Sequence, residues 1–231
     1  MSPEKLLTMV GAGIFVAGTV LAAILILKKR ESNDRLLRNF VVAGALPVAA
    51  ALVLRGLYEA RLPTFGQFEV LACYGLSIVG AYLHAVSAGR RLQGISLITM
   101  GFVAVVLGLA VPGVDVAAKP GTEGSNVLLG VHIITAFVGY GFFTLASLLA
   151  ATYIVQDNNL KHKRFGFVFE ALPPLEVLDN LMHRQIAIAF PIFTVSVALG
   201  VRHAWLMGGG TEWLTDPKIL ATAVTWLVYA I

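Results

Sequence analysis

The chain has 231 residues, of which 58% are hydrophobic and only 13% are charged. Charged residues make up about a quarter of an ordinary soluble domain, so this composition excludes that class and predicts an integral membrane protein. We interpret the net charge of +4 as a sign of membrane topology and not of nucleic-acid binding, because loops on one side of a bilayer are enriched in Lys and Arg.

A membrane span needs roughly 20 mostly apolar residues, and the sequence offers a series of them. We predict an all-α, polytopic transmembrane helical bundle, a single integral membrane domain over residues 1–231 with about seven spans. The predicted spans, in chain order, are residues 6–27, 37–54, 68–86, 94–111, 127–154, 186–206 and 219–231. The seventh span stops at Ile231 after about 20 Å of helix, so we expect it to be truncated. No small-residue cleavage site follows the first span, which we therefore interpret as retained.

The basic residues predict the orientation of the bundle. Of the 17 Lys and Arg, 11 fall in one set of loops. They are Lys28, Lys29, Arg30, Arg35, Arg38, Arg90, Arg91, Lys161, Lys163, Arg164 and Arg184. By the positive-inside rule these loops are cytoplasmic, which places the N-terminus and residues 205–218 outside.

Two connecting segments have a distinct pattern. Residues 112–126 are rich in turn formers and predict an outside loop. In the longest inside loop, residues 156–185, the apolar positions after Pro173-Pro174 recur at helical spacing. They predict a short amphipathic helix over about residues 175–182 that lies on the inner surface and leads into the sixth span.

Unusual polar residues collect on the predicted outer side. His132 lies about 8 Å below the outer end of the fifth span, and Arg202 and His203 lie near the outer end of the sixth. Arg55 and Arg61 flank the outer end of the second span, and Trp205, Trp213, Asp216 and Lys218 belong to the segment that follows the sixth. Ionisable groups at such depths usually face the bundle interior, a partner or a water-filled cavity, so these residues form a candidate site.

Each candidate also has an ordinary structural interpretation. The His132 imidazole can bond a neighbouring backbone carbonyl, and the arginines Arg55 and Arg61 can extend to outer headgroups. Trp205 and Trp213 can be members of an interfacial aromatic belt. The residue types alone leave these alternatives open.

The wider sequence resembles a known family. The motifs are Leu62-Pro63 to Glu69, Val131-His132 to Tyr140, the stretch Leu178 to Gly200, Trp213 with Asp216-Pro217-Lys218, and Thr225 to Ala230. In order and spacing they resemble the cytochrome c assembly superfamily, in particular the CcsA/ResC-like haem-handling proteins and their divergent HemX-like members. The resemblance implies a multi-pass protein of the bacterial inner (plasma) membrane.

The resemblance also implies a site. His132 matches an outer histidine that handles haem, Trp213 a loop tryptophan, and Asp216 and Lys218 the end of the loop motif. We expect haem b, with His132 as an axial ligand, His203 as a second, and Trp205 and Trp213 beside the porphyrin. Arg55, Arg61, Arg202 or Lys218 would pair with the propionates. The expected partners are haem, the lipid bilayer, and apocytochrome c or another cytochrome-assembly membrane protein.

Several departures from the family pattern favour a HemX-like member without covalent catalysis of its own. Thr215 stands where the family has a second Trp, and Ile219 where it has an acid. Residues 208–210 form a glycine insertion, and the pair Arg61-Leu62 stands in place of a histidine often found just before the loop Pro.

Cys73, the only cysteine, lies in the third span, so no Cys-x-x-Cys redox or haem-attachment motif is present.

A second hypothesis is a non-catalytic membrane anchor or regulatory subunit that binds a protein partner without haem. HemX-like relatives are associated with control of haem-synthesis enzymes, and residues 161–185 offer a basic and amphipathic surface for such a partner. A transporter is less attractive, because the sequence shows neither an inverted repeat nor paired broken helices.

Overall fold

The structure, a computed structural model, describes residues 2–28, 34–59, 62–64, 66–87, 93–115, 127–206 and 215–230, and the regular elements in these residues are all helical. The helices are α1 Pro3–Leu27, α2 Asp34–Glu59, α3 Gln67–Val86, α4 Gln93–Ala110, a 3₁₀ helix Val111–Asp115, α5 Val127–Lys161, α6 Phe167–Ala171, α7 Leu175–Leu206 and α8 Pro217–Ala230.

Six of these helices are long and apolar enough to cross a membrane. They are α1, α2, α3, α4 with the 3₁₀ helix, α5 and α7, and each contains one of the first six predicted spans. The seventh predicted span corresponds to α8, a shorter apolar helix. The prediction of an all-α polytopic membrane bundle is therefore confirmed.

The predicted amphipathic helix over residues 175–182 is wrong as a separate surface element. These residues are the first turns of α7, which runs unbroken from Leu175 to Leu206. The carbonyl of Pro174 accepts the backbone N–H groups of Val177 and Leu178 and so starts the helix. Leu178 is buried in the main core, so the apolar stripe faces other helices and not a lipid surface.

The predicted outside loop over residues 112–126 is also partly wrong. Residues 112–115, which we predicted as loop, continue α4 as the 3₁₀ helix Val111–Asp115, in which Gly113 and Val114 are buried. The rest of that predicted loop, residues 116–126, lies outside the described residues.

Successive long helices alternate in direction, which gives the bundle two ends. We call the end that holds Lys28, Lys161 and Arg184 the basic end, and the other the opposite end. At the opposite end an ion pair joins Lys5 at the start of α1 to Asp115 of the 3₁₀ helix. At the basic end the Gln185 amide lies 3.4 Å from Nδ1 of His84, which joins the start of α7 to the end of α3.

Close approach at glycine holds neighbouring helices together. A Cβ placed on Gly141 of α5 would lie 2.5 Å from the carbonyl carbon of Ser77 in α3 and 2.6 Å from its Cβ. Helices in lipid gain little from the hydrophobic effect between themselves, so contacts between small residues carry much of their association. Gly141 therefore marks a contact in which α3 and α5 have no room for a side chain.

We expect Gly141→Ala to separate α3 from α5, because the added methyl would collide with backbone atoms. Overpacking of this kind costs about 1–3 kcal/mol. The measurement is the temperature at which half of the purified protein leaves the monodisperse peak on gel filtration in mild detergent, which should fall by several degrees. Gly80→Ala on α3 is the matched control, since its added Cβ meets nothing within 4 Å. Equal stability of the two variants would contradict this account of the α3–α5 contact.

Candidate functional site

His132 lies at the contact between α5 and α7, the most extensive helix–helix contact in the bundle. Its Nδ1 is 2.7 Å from the backbone carbonyl oxygen of Ser196 in α7. The Ser196 hydroxyl in turn donates to the backbone carbonyl of His132 over 2.9 Å. These two bonds join the start of α5 to the second half of α7 at one point.

The bond to Ser196 decides which ring nitrogen carries the proton. A carbonyl oxygen only accepts, so Nδ1 of His132 must donate, and the neutral ring then keeps a lone pair on Nε2. Within the described part of the chain Nε2 has no hydrogen-bond partner. The structure therefore presents an oriented imidazole, with one ring nitrogen that makes no hydrogen bond to the described residues.

Gly200 provides the space for this ring. A Cβ at Gly200 would lie 2.7 Å from Cε1 of His132, 3.1 Å from Nδ1 and 3.3 Å from Nε2. Any side chain larger than hydrogen would thus push the imidazole away from its position. Ser196 and Gly200 are four residues apart and share one face of α7. Together they form the part of α7 that contacts the His132 ring.

His203, the predicted second ligand, follows on the same face of α7, because it lies seven residues after Ser196 and three after Gly200. At 1.5 Å per residue it is about 4.5 Å nearer the opposite end than Gly200. Both His132 and His203 are half-buried. Helical spacing thus places His203 on the face of α7 that contacts His132.

The remaining predicted residues divide into those that the structure describes near the end of α7 or the start of α8, those it does not describe, and Arg55. Arg202 is exposed and Trp205 is 72% exposed in the last turn of α7. The Asp216 carbonyl accepts the N–H groups of Ile219 and Leu220 at 2.9 and 3.1 Å, and so begins α8. Arg61, Trp213 and the side chain of Lys218 lie outside the described residues.

Arg55 has a different environment from the other predicted cations. Its Nε lies 2.7 Å from Glu59 and 3.3 Å from the fully buried Glu69. Its Nη1 donates to the carbonyl oxygen of Val114 over 3.2 Å. The second carboxylate oxygen of Glu69 accepts the Gly66 N–H at the start of α3 over 3.1 Å. Arg55 therefore joins α2, α3 and the 3₁₀ helix, and two carboxylates already compensate its charge.

Sequence reasoning missed Ser196 and Gly200 as the supports of His132. Their spacing of four residues, two small residues on one face of an apolar helix, is the signal that could have indicated a close helix contact. It could not have indicated which residue of which helix fills that contact. Trp226, from the last of the family motifs, joins α8 to α7, because its indole Nε1 donates to the Thr194 hydroxyl over 2.9 Å.

The fold and the apolar helices define a multi-pass integral membrane protein of the all-α class. The chain matches the family described as "Cytochrome C assembly protein" over residues 6–231. It therefore belongs to the cytochrome c assembly protein family, as the resemblance implied.

Among similar proteins, Protein HemX of Brevibacillus brevis is 28% identical over 209 residues, which cover 87% of this chain and 75% of that protein. Cytochrome c biogenesis protein CcsA of Porphyra purpurea is 26% identical over 227 residues, 79% of this chain and 70% of that protein. Protein HemX of Bacillus subtilis is 27% identical over 172 residues, 74% of this chain and 62% of that protein. No solved structure matches.

We expect Arg55→Met to destabilise the opposite end of the bundle, because it removes the cation that lies against the buried carboxylate of Glu69. Removing one partner of a buried ion pair costs about 3–5 kcal/mol. The measurement is the loss of the monodisperse gel-filtration peak on heating in mild detergent. Arg202→Met, at an exposed residue, is the control and should leave stability unchanged. If Arg55→Met is as stable as the control, the ion pairs are not part of the scaffold.

Proposed function

We propose that this protein binds haem at the opposite end of the bundle, which the positive-inside rule places on the outer face of the membrane. The observation that supports it best is the state of His132. Its Nδ1 is held by the Ser196 carbonyl, and Nε2 is left with a lone pair. A histidine that binds a metal commonly donates its other ring N–H to a backbone carbonyl in this way.

The residues that contact His132 fit a haem ligand of this kind. The hydrogen bond to Ser196 fixes the ring orientation, and Gly200 leaves room for the ring. His203 on the same face of α7 is the proposed second ligand. Arg202 can pair with a propionate and Trp205 can pack beside the porphyrin. When bound, haem b supplies an iron whose potential depends on its axial ligands.

The proposed role is to bind or present haem during assembly of haem proteins, without covalent catalysis by this chain. One relative carries the name Cytochrome c biogenesis protein CcsA, which supports apocytochrome c or another assembly protein as the partner. The proposed location is the bacterial inner membrane. Trp213, Lys218 and Arg61 remain sequence-based candidates for the same site, whereas we assign Arg55 to the scaffold.

A second candidate function is a membrane anchor or regulatory subunit without haem. One observation favours it: residues 161–168, from the last residue of α5 to the second residue of α6, are all exposed and include Phe165 at 59% and Phe167 at 51%. A soluble partner could bind this surface. The relative named Protein HemX is compatible with either function.

We expect His132→Ala to weaken haem binding by at least about tenfold, since changes to groups that merely support a metal ligand already cost about 10–100-fold. Haemin is titrated into haem-free protein in mild detergent, and the Soret band is followed in the oxidised and reduced states. His162→Ala is the matched control, because His162 is an exposed histidine one residue beyond the basic end of the same helix. Its affinity and spectrum should equal those of the unmodified protein.

An unchanged spectrum and affinity for His132→Ala would exclude His132 as a ligand. A protein that takes up no haem, but purifies from its host with a stoichiometric protein partner, would favour the anchor. In a His132→Gly variant that binds weakly, added imidazole should restore the spectrum if the lost group was the ligand.

We expect Gly200→Ala to weaken haem binding by about 10–100-fold, because its methyl would displace the His132 ring. The same change in a His132→Ala background should have little further effect, since the two residues act through one contact. Gly108→Ala, whose Cβ would meet nothing within 4 Å, controls for adding a methyl to a membrane helix. Losses that simply add in the double variant would show that Gly200 acts independently of His132.

A further inference from the structure

A crevice opens at the basic end of the bundle, far from His132. Its volume is about 280 Å³, and it lies between α1, α4, α5 and the short helix α6. The residues that line it include Ile26, Leu97, Ala151, Val155, Phe167 and Leu172. The size is close to the lower limit of small-molecule pockets, about 300 Å³.

The lining is apolar and offers almost no hydrogen bonds to an occupant. Thr152 is the polar side chain among the lining residues, and its hydroxyl donates to the carbonyl of Leu148 in its own helix over 2.7 Å. An extended peptide would find no side-chain partner here for its backbone groups. A hydrocarbon chain, by contrast, loses nothing by entering.

Three cations lie close in sequence to the lining residues. Lys28 follows Ile26 by two residues at the end of α1, and Lys163 and Arg164 precede Phe167 by a few residues. All three are exposed, and none has an ion-pair partner among the described residues. Lys161, in contrast, pairs with Asp157 over 2.6 Å.

The turn after α5 gives two of these cations a defined backbone position. Lys163 has φ 52°, the left-handed conformation that ends many helices. Its N–H bonds the carbonyl of Leu160 over 3.1 Å, and the N–H of Arg164 bonds that of Asn159 over 2.8 Å. This is the Schellman pattern, so Lys163 and Arg164 lie on an ordered turn between α5 and α6.

The length of α5 places the crevice at the basic end of the bundle. Ala151 is the 25th residue of α5, about 36 Å from its start, whereas the hydrocarbon core is about 30 Å thick. An apolar crevice at this end of the bundle, with unpaired cations close in sequence to its lining residues, matches a lipid whose chain enters the crevice and whose headgroup meets the cations. Basic pockets between helices on the cytoplasmic side are known to bind anionic headgroups.

We propose that this crevice is a binding site for an anionic phospholipid, with one acyl chain between α1, α4, α5 and α6 and the phosphate beside Lys28, Lys163 and Arg164. The site is separate from the proposed haem site. The lipid-binding proposal and the haem-binding proposal can therefore be tested independently of each other.

The test is native mass spectrometry of the whole protein in mild detergent, titrated with phosphatidylglycerol or with phosphatidylcholine of the same acyl chains. Two changes probe the two parts of the site. Ala151→Phe fills the crevice from an exposed position on α5, and Lys28→Gln with Arg164→Gln removes two cations without altering the left-handed Lys163.

Each change has a matched control. Ile154→Phe adds a ring on the same helix at a residue that is 67% exposed and does not line the crevice. Arg38→Gln with Arg184→Gln removes two exposed cations from the same end, on α2 and α7, which contribute no lining residue. Gel filtration checks that every variant remains monodisperse.

We expect the unmodified protein to bind the first phosphatidylglycerol about tenfold more tightly than phosphatidylcholine, as two or three basic residues at a membrane surface can provide. The Lys28→Gln/Arg164→Gln variant should lose this preference and keep its phosphatidylcholine binding. Ala151→Phe should weaken both lipids by about tenfold, and both controls should behave like the unmodified protein.

Equal binding of the two lipids by the unmodified protein would overturn the proposal. So would an Ala151→Phe variant that binds both as before. A third contrary result is a soluble protein that co-purifies with the unmodified chain and is lost from the crevice variants while lipid binding stays the same. That result would make the crevice a protein-docking surface.

Discussion

The contact between α5 and α7 is the constraint on which the candidate site depends. Lipid tails are as apolar as the side chains they surround, so helices in a membrane associate through close packing and hydrogen bonds between them. α5 and α7 use both. A Cβ on Gly139 would lie 3.0 Å from the Cβ of Phe193, and further along the same contact His132 and Ser196 exchange two hydrogen bonds. The packing that holds the helices together therefore also orients the candidate ligand.

Arg55 and His132 lie at the same end of the bundle and differ in the contacts that their side chains make. Arg55 contacts two carboxylates and a carbonyl, which leaves its charge compensated and its side chain fixed. His132 is equally well positioned, but its contacts involve one ring nitrogen and leave the other with a lone pair. Burial of a charge without partners is costly in this setting, and Arg55 avoids that cost. A neutral imidazole can keep one unpaired acceptor at a much smaller free-energy cost, so the bundle tolerates an unpaired Nε2 on His132.

Periodicity and hydropathy were sufficient to predict the six long helices, because a run of apolar residues has few alternatives in a bilayer. They were insufficient at Leu178, where the same spacing fits a surface helix and the first turns of a buried one. The depth of His132 could be predicted by counting residues, but its contact with Gly200 depends on helix rotation, which one sequence does not determine. The assignment of Arg55 depends on Glu69, 14 residues away on another helix. Local pattern carries no information on such a pairing.

α5 connects the two regions of chemical interest. Its 35 residues span about 52 Å, which exceeds the hydrocarbon core by about 20 Å. His132 is the sixth residue of this helix, so a core that begins near Val127 leaves most of the excess at the basic end. There the helix carries Asp157 and Lys161 and forms one wall of the crevice. A helix of this length is stiff along its axis, and whatever fixes its depth at the basic end also fixes the depth of His132. The position of the imidazole relative to the headgroups at the opposite end is therefore set by the packing of α5 with α7 and by the anchoring of the far end of α5.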